Sequence, residues 1–97
     1  MIIELKKFGT TLNGRQFGRE SFAAFRPSLK KLKNEEEIII DFEGVKTFTP
    51  SWGDEFLGSL IREFNRKLIL RNTKNPSVQA TLETLENFYE DKLKIEN

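Results

Sequence analysis

Five residues in the middle of the chain, Ile38-Ile39-Ile40-Asp41-Phe42, form an apolar run that shows no alternation between apolar and polar positions. A run of this kind is typical of a central strand that is covered on both faces, as in the parallel sheets of α/β proteins. We therefore predict a buried strand here and place the other elements of the fold around it.

Before this strand the sequence predicts another strand and then a helix. Ile2 to Phe8 alternates loosely and contains β-branched residues, which favours a first strand. From about Gly18 to Lys33 the apolar residues recur at intervals of three and four, which is the pattern of a helix. Pro27 lies inside this pattern, so it is expected to kink the helix or to start a second short one.

After the strand, a loop through Gly44 leads to Thr49-Pro50-Ser51, where we expect a second helix to begin. Lys67 to Arg71 predicts a third strand, and Asn75-Pro76 predicts the N-cap and first-turn proline of a last helix. The alternation of strands and helices predicts an α/β fold. We expect one domain over residues 1–97, with a small, mostly parallel or mixed sheet of three to four strands and about three helices.

Composition narrows the possible functions. The chain has no Cys and no His, which removes disulfides, thiolate metal sites and the commonest general base near neutral pH. We expect no cofactor and no metal. The formal net charge of +1 gives no general reason to expect a nucleic acid or a membrane as partner. Without a long apolar segment or a signal-like N-terminus, we expect a cytoplasmic protein.

Two adjacent segments carry the clearest motif, Asp41-Phe42-Glu43-Gly44-Val45 and Thr49-Pro50-Ser51-Trp52-Gly53-Asp54-Glu55. They resemble the STAS-like domains of bacteria, which are relatives of the anti-sigma-factor antagonists. Those domains share a buried strand that ends in Asp, a short loop with Gly-Val, and a Ser at the start of the next helix. An Arg near the start of the first helix also occurs in them, and Arg15 or Arg19 matches it.

The resemblance implies a non-enzymatic regulator that binds another protein. In the antagonists a Ser at the position of Ser51 is phosphorylated, which makes the domain change partners. The implied partner is a kinase-like ATPase or an anti-sigma-like factor. The antagonists have an acidic residue and a Ser before the acceptor Ser and a Gly after it, whereas this chain has Thr49-Pro50-Ser51-Trp52. The residues expected at the docking surface are Arg15, Thr49, Pro50, Ser51, Trp52, Asp54 and Glu55.

Several alternatives stay open for these residues. Ser51 can be a helix cap and nothing more, either paired with Asp54 in a capping box or beside Thr49 as N-cap. Trp52 can belong to the core, because it precedes Phe56 by four residues, or to an interface. We also expect Arg15 or Arg19 to pair with Asp54 or Glu55.

Two other classes of function compete with protein binding. Asp41, Asp54 and Glu55 are candidates for Mg²⁺-dependent phosphoryl chemistry or for a phosphoacceptor, since Mg²⁺ prefers carboxylate ligands. Nucleic-acid association would rest on basic side chains and has no recognition motif to support it. The exposed edges of a small sheet are compatible with a monomer or a homodimer. The basic residues concerned are Lys30, Lys31, Lys33, Arg62, Arg66, Lys67, Arg71 and Lys74.

Overall fold

The computed structural model describes all residues, 1–97, and contains five strands and three α-helices. Short 3₁₀ helices follow the first strand and the first two helices. In chain order the elements are β1 (Ile2–Glu4), β2 (Thr11–Leu12), α1 (Arg15–Phe25), β3 (Ile38–Asp41), β4 (Thr47–Phe48), α2 (Pro50–Phe64), β5 (Leu68–Arg71) and α3 (Pro76–Tyr89).

The main sheet has the strand order β1-β3-β5, and both pairs of neighbours are parallel. Ile39 in the middle of β3 pairs with Ile2 on one side and Ile69 on the other. The apolar run is thus the central strand, and the predicted α/β fold is confirmed. A second parallel pair, β2 with β4, was not predicted, because two residues per strand are too few to form a recognisable pattern.

The central strand is buried on one face and partly exposed on the other, so the expected cover on both faces is wrong. Ile38 and Ile40 are fully buried, whereas Ile39 and Asp41 are partly exposed. The physical reason lies in the strand order. Right-handed crossovers that always proceed in the same direction across a sheet place every connecting helix on the same face.

The proline inside the first helical pattern divides it, as predicted. Helix α1 ends at Phe25, and a 3₁₀ helix from Arg26 to Lys31 follows with Pro27 at its start. The first strand is shorter than predicted. It ends at Glu4, because Leu5–Lys7 forms a 3₁₀ helix that buries Leu5 completely.

Helices α1 and α2 cross closely at Gly18. A Cβ atom at this position would lie 2.8 Å from the carbonyl oxygen of Trp52 and 3.0 Å from its Cα. Contacts that short require the backbone to shift, so glycine is what permits the crossing. The crossing has a consequence for the surface, because it places Arg15, one turn before Gly18, beside the first turn of α2.

Candidate functional site

The first turn of α2 is capped by Thr49, not by Ser51. The helix begins at Pro50, and the Oγ1 atom of Thr49 accepts a hydrogen bond from the backbone N–H of Trp52 at 3.5 Å. Pro50 stands at the first helical position, where its missing N–H is no loss. Of the alternatives considered from the sequence, Thr49 as N-cap is correct and Ser51 as N-cap is wrong.

The hydroxyl of Ser51 takes no part in holding the helix. Its hydrogen-bond neighbour is the Oγ1 atom of Thr49 at 3.4 Å, and it bonds to no backbone group. The side chain is partly exposed. Ser51 is therefore free to contact a ligand or to be modified without the loss of a capping interaction.

Trp52 belongs to the core and does not reach the surface. It is fully buried, and its ring stacks on Phe56 with the ring centroids 5.0 Å apart and the planes within 10°. Phe17 and Phe48 contact it edge-on, and its Nε1–H has no hydrogen-bond acceptor. The alternative of an interface residue is thus corrected. Trp52 fixes the first turn of α2 from below.

Arg15 joins α1 to this turn by two ion pairs. Its Nη1 atom donates to Asp54 Oδ2 at 2.9 Å and to Glu55 Oε2 at 2.5 Å, and Arg19 lies 3.5 Å from the other Glu55 oxygen. Hydrogen bonds to Asp54 and Glu55 raise the pKa of Arg15 above its ordinary value. The pairing expected from the sequence is present. Water screens ion pairs at an exposed guanidinium, so their main effect is to orient these side chains.

Asp54 is held a second time by Tyr89 from α3. The Tyr89 hydroxyl donates to Asp54 Oδ1 and accepts from Arg62 Nη1 at 2.7 Å. Burial favours a higher pKa for Asp54, but the hydrogen bonds from Tyr89 and Arg15 outweigh it, so this pKa lies below its ordinary value. Burial and the bond to Asp54 raise the pKa of Tyr89 to about 12. The sequence gives no indication of this bond, because Asp54 and Tyr89 are 35 residues apart.

Gly58 allows α3 to come this close. A side chain at position 58 would collide with the Tyr89 hydroxyl and with the carboxylate of Asp54. A glycine inside a helix destabilises it by about 1 kcal/mol relative to Ala, so its presence here calls for a packing reason. The contact between Tyr89 and Asp54 supplies that reason.

An open groove of about 360 Å³ lies beside Ser51, between the start of α2 and the second half of α3. Phe88 at its edge is 71% exposed, more than any other large hydrophobic side chain of the chain. Phe88 was not identified from the sequence as a candidate site residue. The groove is lined by Arg15, Pro50, Ser51, Asp54, Thr84, Leu85 and Phe88.

Asp41 is not part of this site. Its Oδ1 atom accepts hydrogen bonds from the backbone N–H of Glu43 at 2.9 Å and from Asn72 Nδ2 at 2.8 Å. Burial favours a higher pKa for Asp41, but these two bonds hold it below its ordinary value. No group of three or more acidic side chains lies close enough together to hold a metal ion. Asp54 and Glu55 lie together at Arg15, whereas Asp41 lies apart at the end of β3, so the three carboxylates considered for magnesium chemistry do not form one cluster.

Three of the basic side chains considered for nucleic acid lie together, since Arg62, Arg66 and Lys67 line one depression at the end of α2 together with Glu63. Arg62 is engaged by Tyr89 and by Ser59. Lys67 immediately precedes β5 and Arg71 ends it, and the four residues of this strand separate them by about 10 Å or more. These residues thus lie toward opposite ends of the strand.

Comparison with known families agrees with the fold and the motif. A family model described as a STAS-like domain of unknown function (DUF4325) matches residues 23–78, which is more than half of the chain. The chain belongs to this family. The match includes β3, β4, α2 and β5 of this STAS-like domain, together with the segment from Thr49 to Glu55, and it begins after Arg15.

The resemblance stated from the sequence is thus confirmed at the level of the family. No curated protein and no solved structure matches the chain. None of the helices combines the length and the apolar character required to cross a membrane.

Proposed function

We propose that this STAS-like domain is a non-enzymatic regulatory module that binds another protein through the loop from Gly44 to Ser51 and the first turn of α2. The proposed partner is a kinase-like ATPase or an anti-sigma-like factor, and phosphorylation of Ser51 controls the contact. The observation that carries the proposal is the hydroxyl of Ser51, which has no capping role and lines an open groove.

The position of Ser51 suits a phosphate. The N-terminus of a helix offers unpaired backbone N–H groups and the positive end of the helix dipole, both of which stabilise an anion. A phosphate would bring about −1.5 to −2 charges to the surface near neutral pH. Arg15 lines the same groove, while Asp54 would oppose part of the gain. Phosphorylation would therefore change the charge of the docking surface without removing a structural hydrogen bond.

The surroundings of Ser51 also support the non-enzymatic part of the proposal. A serine nucleophile needs a base within hydrogen-bond reach, and the neighbour of the Ser51 hydroxyl is another hydroxyl, that of Thr49. The nearby carboxylate of Asp54 is already engaged by Arg15 and Tyr89. We infer that the groups around Ser51 serve recognition.

The proposal is tested by capture of a partner from a lysate of the native host, followed by mass spectrometry. The baits are the wild-type domain, Ser51→Ala, Ser51→Glu and the control Asn34→Glu, which adds the same charge in the exposed loop before β3. We expect one partner that wild type, Ser51→Ala and Asn34→Glu retain and that Ser51→Glu loses.

Two results would contradict the proposal. Retention of the partner by Ser51→Glu would show that charge at this position does not control binding. Loss of the partner with Asn34→Glu as well would show a general effect of net charge and not a local one.

A further inference from the structure

Arg15 holds the first turn of α2 through a single nitrogen atom. Its Nη1 atom donates to Asp54 at 2.9 Å and to Glu55 at 2.5 Å, whereas its Nε and Nη2 atoms have no hydrogen-bond partner in the domain. The side chain is 49% exposed and lines the groove together with Ser51. Two nitrogen atoms with unused N–H donors thus lie beside the proposed site of phosphorylation.

Neither carboxylate depends on Arg15 alone. The Oδ1 atom of Asp54 accepts a hydrogen bond from the Tyr89 hydroxyl, and the Oε1 atom of Glu55 lies 3.5 Å from the Nε atom of Arg19. Both carboxylates are also partly exposed, so water can replace the bond that each loses. Because exposed ion pairs contribute little to stability, Arg15 can change its partner at a small cost.

Ser51 is close enough to offer that new partner. It precedes Asp54 by three residues in α2, and residues three apart on a helix are neighbours with their Cβ atoms about 5–6 Å apart. Arg15 already reaches Asp54, so a phosphate on Ser51 comes within its range. A phosphate carries about −1.5 to −2 charges near neutral pH, more than a carboxylate, and a guanidinium can bind two of its oxygens side by side. The phosphate is therefore the stronger ligand for Arg15.

We propose that Arg15 is the phosphate-binding residue of phosphorylated Ser51, and that its guanidinium leaves Asp54 and Glu55 to bind the phosphate through Nε and Nη2. This inference rests on the proposed function, since it names the residue that responds to the modification. Phosphorylation forms a bond between Ser51 Oγ and the γ-phosphorus of ATP, with ADP as the leaving group and the hydroxyl proton passing to solvent. The modification thereby changes the pairing between α1 and α2 as well as the charge at Ser51.

The test uses the domain with phosphoserine incorporated at position 51 during translation, so that no kinase is needed. A pH titration followed by ³¹P NMR gives the second pKa of the phosphate, which is near 6 without a partner. A bound guanidinium favours the dianion and lowers this pKa. We expect Arg15→Gln to raise it by about 1 relative to the unsubstituted phosphorylated domain. Arg15→Lys, which keeps the charge but cannot bind two oxygens side by side, should raise it by less.

Arg19→Gln is the matched control, because it removes the same charge one turn later in α1, beside the other oxygen of Glu55. It should raise the phosphate pKa by less than half as much as Arg15→Gln. A second readout needs no substitution and stays decisive if a variant unfolds. The Nε–H resonance of Arg15 should shift on phosphorylation and move back when acid protonates the phosphate.

Three results would overturn the inference. They are an unchanged phosphate pKa in Arg15→Gln, equal effects of Arg15→Gln and Arg19→Gln, and an Arg15 Nε–H resonance that does not respond to phosphorylation. Equal effects of the two variants would show a general influence of positive charge in α1 and not a bond from Arg15.

The inference and the proposed function can fail separately. A captured partner that is lost with Ser51→Glu, beside a phosphate pKa that ignores Arg15→Gln, leaves the proposed function standing and overturns the role of Arg15. Conversely, a phosphate pKa that responds to Arg15→Gln as expected, beside a partner indifferent to Ser51→Glu, supports the inference and overturns control of binding through Ser51.

Discussion

Helices α2 and α3 begin with nearly the same three residues but use them differently. Thr49-Pro50-Ser51 opens α2 and Asn75-Pro76-Ser77 opens α3, and in each case the first residue caps the helix while the proline occupies the first helical position. The two serines therefore have equivalent places in the local sequence. What they contact differs completely.

At α3 both the N-cap residue and the serine hold the fold together. Asn75 accepts hydrogen bonds from the N–H groups of Ser77 and Val78 at 2.7 and 3.2 Å and donates to two carbonyls of the loop before β4. The Ser77 hydroxyl accepts a hydrogen bond from the N–H of Phe48 at 3.0 Å and donates one to the carbonyl of Phe48 at 3.3 Å. The start of α3 is thereby bound to β4.

At α2 the N-cap hydrogen bond is longer than those at α3, and the serine does not help to hold the helix. The bond from Trp52 N–H to Thr49 measures 3.5 Å, and the Ser51 hydroxyl bonds to no backbone group. Local sequence thus determines the cap, whereas the element packed against the third residue determines the role of that residue. A strand lies against Ser77 and an open groove lies against Ser51.

The largest difference is expected between the two N-caps. Asn75→Ala removes the acceptor for two N–H groups and the donor to two carbonyls, so we expect it to lower the free energy of unfolding by about 2 kcal/mol. Thr49→Ala removes long hydrogen bonds and should lower it by about 1 kcal/mol or less. Urea denaturation followed by Trp52 fluorescence measures both. Equal losses of free energy in Asn75→Ala and Thr49→Ala would mean that the two caps hold the fold equally well.

The next largest difference in stability is expected between substitutions of the two serines. Ser77→Ala leaves the N–H of Phe48 without a partner, and we expect a loss of about 1–2 kcal/mol in the free energy of unfolding. Ser51→Ala should change it by no more than about 0.5 kcal/mol, because no buried group depends on its hydroxyl. The same denaturation measurement applies. A large loss with Ser51→Ala would mean that Ser51 is structural after all.

These two pairs of residues also show which features can be predicted from the sequence and which cannot. The central strand and the three helices were predictable, because they follow from apolar periodicity and helix-start residues. The pairing of Arg15 or Arg19 with Asp54 or Glu55 was expected from the motif that resembles the STAS-like domains. The different roles of Ser51 and Ser77 were not, since they depend on which element packs against each one. Phe88 escaped prediction for the same reason, because its groove exists only once α2 and α3 are side by side.

The polar network beside Ser51 makes a separate prediction about pH. Tyr89 is the only tyrosine, so tyrosinate absorbance reports its pKa alone, and we expect a midpoint at about 12. Because the ordinary value near 10 applies to the unfolded chain, this group contributes stability that is present below about pH 10 and is lost as the pH rises toward its folded pKa. Asp54→Asn should lower the midpoint. An unchanged midpoint would mean that Asp54 does not hold Tyr89.

The contribution of Asp54 to stability has the opposite dependence on pH and is lost at low pH. Its pKa is lower in the folded domain than in the unfolded chain, so its contribution is present above about pH 4 and is lost as the pH falls through its folded pKa. As the pH is lowered, the free energy of unfolding should therefore fall less steeply in Asp54→Asn than in wild type. Asp41 and Glu36, whose pKa values are also lowered, remain in the variant and account for the residual slope.

An equally small effect on stability is expected from Ser51→Glu. The positive end of the α2 dipole favours a carboxylate in the first turn, while Asp54 and Glu55 oppose it, so we expect a change of no more than about 0.5 kcal/mol in the free energy of unfolding. Ser77→Glu is the matched control, and it should lose at least as much as Ser77→Ala because Phe48 again lacks its partner. If Ser51→Glu unfolds the domain, a lost partner reports misfolding. If stability is unchanged, the loss reports the surface around Ser51, where the two helix starts differ.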